Sequence, residues 1–295
     1  MTVEAAFQSA VAGAWRGELS IPGDLHGFPG TAHGGAVAAV VHRLTLPRFP
    51  ARIRLSLRRP VPTGTPLRLV SGSAGAEARV GIWQDDRHLA DGRVSRAPAG
   101  PASSPPARAE ATLGVPEGHT PRTRTCLGCG TDNPLGLGLQ LQVNPRFIWQ
   151  RYEPRESYRI RDGLAHPALA TVILDELGWW LGALALGECG VTTEMLVTLW
   201  RPIPFAPLLV LGDRAATRPD DDPRGRYRRA AAGLFTDTGA PVATGDVRFG
   251  GSRAYTRRLL EPFLGATSVA DLSRVFPGVT TLAEGGRGLA ERSEP

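Results

Sequence analysis

A histidine followed by two glycines, His33-Gly34-Gly35, opens an apolar run, and an altered copy of the segment recurs at His166. AHGGAVAAVVHRL from Ala32 and AHPALATVILDEL from Ala165 share the histidine, the small residues behind it and the aliphatic stretch. Nine residues beyond its histidine the first copy carries His42, whereas the second carries Asp175. The first copy keeps both glycines; the second has Pro167 and Ala168 instead. Glycines at a helix start leave backbone N–H groups free to meet a developing negative charge, and a carboxylate supplies a base or a nucleophile. Gly34 and Gly35, shaped by His33, are therefore the expected donors, and Asp175 the expected acid, of one site shared between the copies.

Two such parts need elements that bring them together. Gly34 and His42 are eight residues apart, which is about 12 Å along a helix, so one helix cannot present both donors and acid to the same carbonyl. Antiparallel central helices would set the start of one against the middle of the other. The duplication extends beyond the helices. LSLRRPVP from Leu55 matches VTLWRPIP from Val197, and Leu89-Ala90-Asp91-Gly92 matches Val242-Ala243-Thr244-Gly245. The offset grows from 133 at His33/His166 to 142 at Arg59/Arg201 and 153 at Leu89/Val242, as loop insertions in the second copy would produce.

Leu164 to Gly187 is apolar nearly all round, the mark of a buried helix or a membrane span. Asp175 and Glu176 at its centre would each cost about 2.5–3.5 kcal/mol in a bilayer, so burial against a sheet is expected. Residues 52–58 alternate with period two, as a strand with one wet face does. Further strands are expected at 65–73, 77–84, 88–96, 191–201, 207–215, 226–236 and 241–249. One helix followed by antiparallel strands, twice over, is an α+β layout.

The 295 residues have room for two domains. Residues 1–97 form the first and 122–251 the second; the Pro-, Ala- and Ser-rich 98–121 reads as a linker. Residues 252–295 lie outside the repeat, with short helices expected from Tyr255 and Ser268 and a loose final ten residues. The formal charge of +6 comes from arginine alone, since lysine is absent. No basic block or aromatic RNA-binding signature accompanies it, so no nucleic-acid partner is expected. Neither a signal peptide nor a membrane span is expected, which points to the cytoplasm. Cys126-x-x-Cys129 is half of a zinc pattern without a second pair. A tight turn, with Gly128, Gly130 and Asn133-Pro134 supplying its chemistry, is the preferred reading; no metal and no cofactor are expected.

His-Gly-Gly at the start of a buried helix, an acid nine residues along the second copy, and strands carrying Arg-Pro-Val-Pro resemble the hotdog-fold thioesterases of the phenylacetic-acid-degradation type. The run from Cys126 to Leu137 is similar to a segment found in many of those domains. The resemblance spans roughly residues 20–97 and 124–250. It implies a tandem (double) hotdog, two antiparallel sheets joined edge to edge and each wrapped around a long central helix. It also implies hydrolysis of an acyl-CoA or acyl-carrier-protein thioester, further association into a homodimer, and one working site built from Gly35 and Asp175. His26 stands near a position where the family often has an amide, and Trp179 one turn beyond Asp175 where a small hydroxylated residue is common. With Glu176 at the pocket rim and His166 at the second helix start, these residues complete the expected substrate contacts. The alternative is a catalytically silent acyl-thioester binding or scaffold protein that keeps the fold.

Overall fold

The structure, a computed structural model, describes residues 2–98, 100, 113–256, 263 and 266–276. Most of the expected linker, the helix expected from Tyr255 beyond residue 256, and the final ten residues lie outside the described residues.

Among the described residues, helices α1 (Val3–Ala10), α2 (Gly34–Thr45), α3 (Ala168–Leu186) and α4 (Val269–Val275) accompany fifteen strands. The first copy contributes β1 (Glu18–Leu19), β2 (Ala51–Leu57), β3 (Leu67–Ala74), β4 (Glu77–Gln84) and β5 (Arg87–Arg96). Short strands β6 (Gly118–His119) and β7 (Gln142–Val143) precede β8 (Phe147–Tyr152). The second copy adds β9 (Leu164–Ala165), β10 (Gly190–Leu199), β11 (Ile203–Pro204), β12 (Leu208–Asp213), β13 (Arg218–Pro219), β14 (Tyr227–Thr236) and β15 (Pro241–Gly251). All eight expected strands are present, with ends shifted by at most two residues.

The expectation of two sheets is corrected here: thirteen strands form one continuous antiparallel sheet, in the order β1-β3-β4-β5-β2-β10-β15-β14-β12-β8-β7-β6, with β13 on β14. The β2–β10 seam explains the merger. Ile53 pairs with Val197 and Leu55 with Met195. By the repeat alignment Ile53 corresponds to Met195 and Leu55 to Val197, so each residue meets the counterpart of its neighbour. That is the self-complementary pattern of a two-fold interface, and it lets the two edges bond as if they were one sheet. The order of strands runs outward from this seam in the same way on both sides.

Each helix is seated on its half by an equivalent glycine. A Cβ on Gly92 would lie 2.6 Å from the Val41 methyls, and one on Gly245 would lie 3.2 Å from Leu174 Cβ. Val41 and Leu174 are themselves repeat counterparts. Helix α3 has the length and composition of a membrane span, but 83% of its most apolar window is buried in the fold, as the central acids require. It starts at Ala168, later than the sequence pattern suggests. Leu164 and Ala165 pair instead with β11, and Pro167 occupies the cap position. One apolar core runs through both halves.

Candidate active site

Helix α2 begins against the first turns of α3. Gly35 is pressed against α3, and a Cβ there would stand 2.4 Å from the Thr171 carbonyl oxygen and 2.5 Å from Val172 Cα. Its missing side chain serves the helix crossing first, and not only the access of a ligand to the amide. Thr171 fastens the crossing, its hydroxyl donating to the Gly35 carbonyl at 2.7 Å. The start of α2 therefore meets the first turns of α3, and the small residue at the contact allows the close approach.

At that crossing the Gly35 N–H donates to Asp175 Oδ2 at 2.7 Å. The Thr192 hydroxyl donates to Asp175 Oδ1, also at 2.7 Å. His33, the cap of α2, places Nδ1 2.9 Å from Asp175 Oδ2 and Nε2 3.2 Å from Glu176 Oε2. Gly35 N is also 3.1 Å from His33 Nδ1, but a ring nitrogen facing a carboxylate is best protonated, so the amide's acceptor is Asp175. Glu176 is completed by the Trp180 indole N–H, which donates to Oε1 at 2.9 Å. His33, Asp175 and Glu176 are all buried. Burial alone would lower the His33 pKa; the charge and hydrogen bond of Asp175, joined by Cys126 and Glu176, outweigh it and hold the imidazole well above its usual value. Burial and the nearby Cys126 push Glu176 up, against the pull of His33.

Glu176, expected at the interface or the pocket rim, is a buried partner of His33 from the other half and also lines the cavity. The third neighbour of this pair went unassigned. The Cys126–Cys129 segment does form the expected turn, with the Gly130 N–H donating to the Cys126 carbonyl at 2.9 Å. It also lies directly over the histidine. A Cβ on Gly128 would stand 2.2 Å from Glu176 Oε2 and 3.1 Å from His33 Nε2. A hydrogen bond from Cys129, against the opposing effect of burial and helped by His33, holds the Cys126 thiol well below its usual range. The sequence signal was the CxxC itself; what it lacked was any sign that its partners sit on the two central helices.

These groups line one side of a cavity of about 970 Å³ whose wall includes Gly34, His33, Asp175, Glu176, Trp179 and Arg59. Trp179 forms part of the wall and does not close it. Its indole N–H donates to the Gly190 carbonyl at 2.9 Å, and its ring sits among Phe28, Trp180, Phe249 and Phe263. His26 is set apart from the cavity: its Nδ1 is 2.5 Å from the Gly23 carbonyl, and its own carbonyl accepts the Leu127 N–H at 2.8 Å. It holds the cysteine segment rather than a ligand.

His166 lies at the other helix crossing, outside the cavity. Its Nδ1 accepts the Ala168 N–H at 3.1 Å, and its Nε2 faces Glu4 Oε2 at 3.2 Å. Phe7 of α1 stacks on the ring, centroids 5.1 Å apart. Burial, then the charges of His42 and Arg43, lower the His166 pKa to about 3. The Glu4 contact is therefore a neutral N–H donation, not an ion pair. Helix α1, for which the sequence offered no reading, covers His166 through Phe7 and Glu4.

No family model and no curated protein matches the chain. Solved structures do. One described as a candidate thioesterase II from Thermobifida fusca YX superposes with a TM-score of 0.56 at 15% identity, covering 86% of this chain and 100% of that one. A conserved hot dog fold protein of unknown function from Alicyclobacillus acidocaldarius gives 0.53 at 13% identity, over 84% and 98%. The dehydratase domain from the CurJ module of curacin polyketide synthase gives 0.52 at 14% identity, over 81% and 86%. The chain has the hotdog fold.

Proposed function

We propose that the chain is a tandem double hotdog that hydrolyses acyl thioesters at one composite site between its halves. Residues 1–97 and 122–251 are the two hotdog units, 98–121 joins them and 252–295 extends the second. The observation that carries this reading is the Gly35 N–H meeting Asp175 at 2.7 Å across the helix crossing, beside a cavity large enough for an acyl group.

The thioester carbonyl takes the helix-start amides of Gly34 and Gly35, displacing Asp175 Oδ2 from the Gly35 N–H. Asp175 then takes a proton from a water, whose oxygen attacks the carbonyl carbon. As the C–O bond forms and the C–S bond breaks, the sulfur leaves with the proton held on Asp175. His33 keeps the carboxylate oriented, and Trp179 bounds the acyl pocket. Arg59, exposed on the cavity wall, suits the phosphates of coenzyme A or a carrier-protein arm.

A second reading, a silent thioester binder, is favoured by the saturation of the network: Asp175 accepts from Gly35, Thr192 and His33, and both Glu176 oxygens are engaged. Free-thiol release from short, medium, long and aromatic acyl-CoAs separates the two. Release that is lost in Asp175→Asn with ester binding intact supports hydrolysis. Binding without release across the panel overturns it in favour of the binder.

A further inference from the structure

We propose that His33, Cys126 and Glu176 form a binding site for a thiophilic divalent cation of the zinc class, its open position facing the cavity. The candidate ligand atoms, one each from an imidazole, a thiol and a carboxylate, all lie within 4.8 Å of one another. Each residue is at most 6% exposed, yet all three line the cavity. Ligands on a tetrahedral zinc ion stand about 3.5 Å apart. The His33 Nε2–Glu176 Oε2 edge, at 3.2 Å, is already at that spacing, so only the sulfur has to draw in. A nitrogen, a sulfur and an oxygen ligand with a fourth position left open is the donor set of a reactive zinc site rather than a structural one.

The surroundings of the three atoms are built as ligand supports. His33 Nδ1 is 2.9 Å from Asp175 Oδ2, the carboxylate–imidazole contact that fixes the ring and leaves Nε2 to the metal. The Gly128 N–H donates to Cys126 Sγ at 3.3 Å, which favours a thiolate. The Trp180 indole holds Glu176 by its other oxygen. Gly128 spans the gap where any side chain would collide with Glu176 Oε2. Cys129, buried beside Cys126, is a second sulfur within the same turn. Binding displaces the proton on His33 Nε2 into solvent, so metal uptake is coupled to proton release.

The test is a Co2+ titration of the metal-stripped, reduced protein, read by absorbance without turnover, so its outcome is independent of the thioesterase reading. One equivalent per chain should produce a thiolate-to-cobalt charge-transfer band with visible ligand-field bands, displaced by one equivalent of Zn2+. Cys126→Ser should abolish the charge-transfer band, while Cys189→Ser, at a buried cysteine outside the cluster, should keep it. Asp175→Asn, which removes the support behind His33, should weaken binding by about tenfold or more. Failure of the wild-type protein to develop the thiolate band overturns the proposal whatever the variants do. So does a band that persists in a folded Cys126→Ser.

Discussion

The two helix crossings start from the same histidine and end in opposite states. At the first, His33 faces Asp175 and Glu176 and is held in its protonated form. At the second, His166 accepts the Ala168 amide, and burial, then the charges of His42 and Arg43, keep it neutral. Both imidazoles are buried, and the difference lies in what faces them in trans: Asp175 and Glu176 offset the burial of His33, whereas no carboxylate of the opposite central helix does so for His166. His42 is itself partly exposed, but its Nε2 is buried and unpartnered, and burial, then Arg43, lowers its pKa to about 4. Around the first crossing the chain leaves a cavity; around the second it lays down α1, with Phe7 on His166 and Glu4 paired to Arg43 at 3.0 Å.

Replacing the acid should abolish this contrast most completely. Asp175→Asn is expected to lower thioester turnover by about a thousandfold, within the range for a lost general base, measured as thiol release at saturating substrate. Uncovering the second crossing tests whether it is only structural. Phe7 is wholly buried, so Phe7→Ala should cost about 3–5 kcal/mol in urea unfolding, with turnover per folded molecule unchanged.

The neutral histidines of the second crossing give a pH signature. A His42 pKa that falls from 6.5 unfolded to about 4 folded means the unfolded chain binds more protons between those values. Stability is therefore complete above pH 6.5 and declines as pH falls toward 4, by about 3 kcal/mol from this residue. His42→Leu should reduce that slope in denaturation midpoints measured across the window, leaving the share of His166; an unchanged slope would show that His42 does not contribute. The smallest effect concerns the crossing itself. Gly35→Ala should destabilise the fold by about 1–3 kcal/mol through overpacking against Thr171 and Val172. Ala168 already bears that methyl in the second copy, so Ala168→Gly should cost no more than about 1 kcal/mol.

Much of this was legible in the sequence because repetition carries geometry. Matching His33 with His166 and Arg59 with Arg201 supplied the two-helix crossing and eight strands before any coordinate, since period-two alternation and all-round apolarity are local signals. Length excluded a glycine pair and an acid acting from one helix; pairing Gly35 with Asp175 also needed antiparallel helices and the family resemblance. Three features resisted. Glu176 read as a rim group because helical angle says which side a residue faces, not what a distant loop lays over it. Cys126 read as turn chemistry because its partners are brought to it by the fold, 93 residues upstream and 50 downstream. Helix α1 left no mark because an eight-residue amphipathic helix owes its place to a gap that exists only once the repeat has folded.

The isologous β2–β10 seam has a consequence for how such a chain can change. In a pair of identical subunits joined at such an edge, every substitution is made twice, so an acid lost at one crossing is lost at both. Here the two sides of the seam are encoded separately. His42 could replace the acid, and α1 could settle over the vacancy, without touching Asp175. A change at one crossing therefore leaves the other as it was, and the two are free to differ.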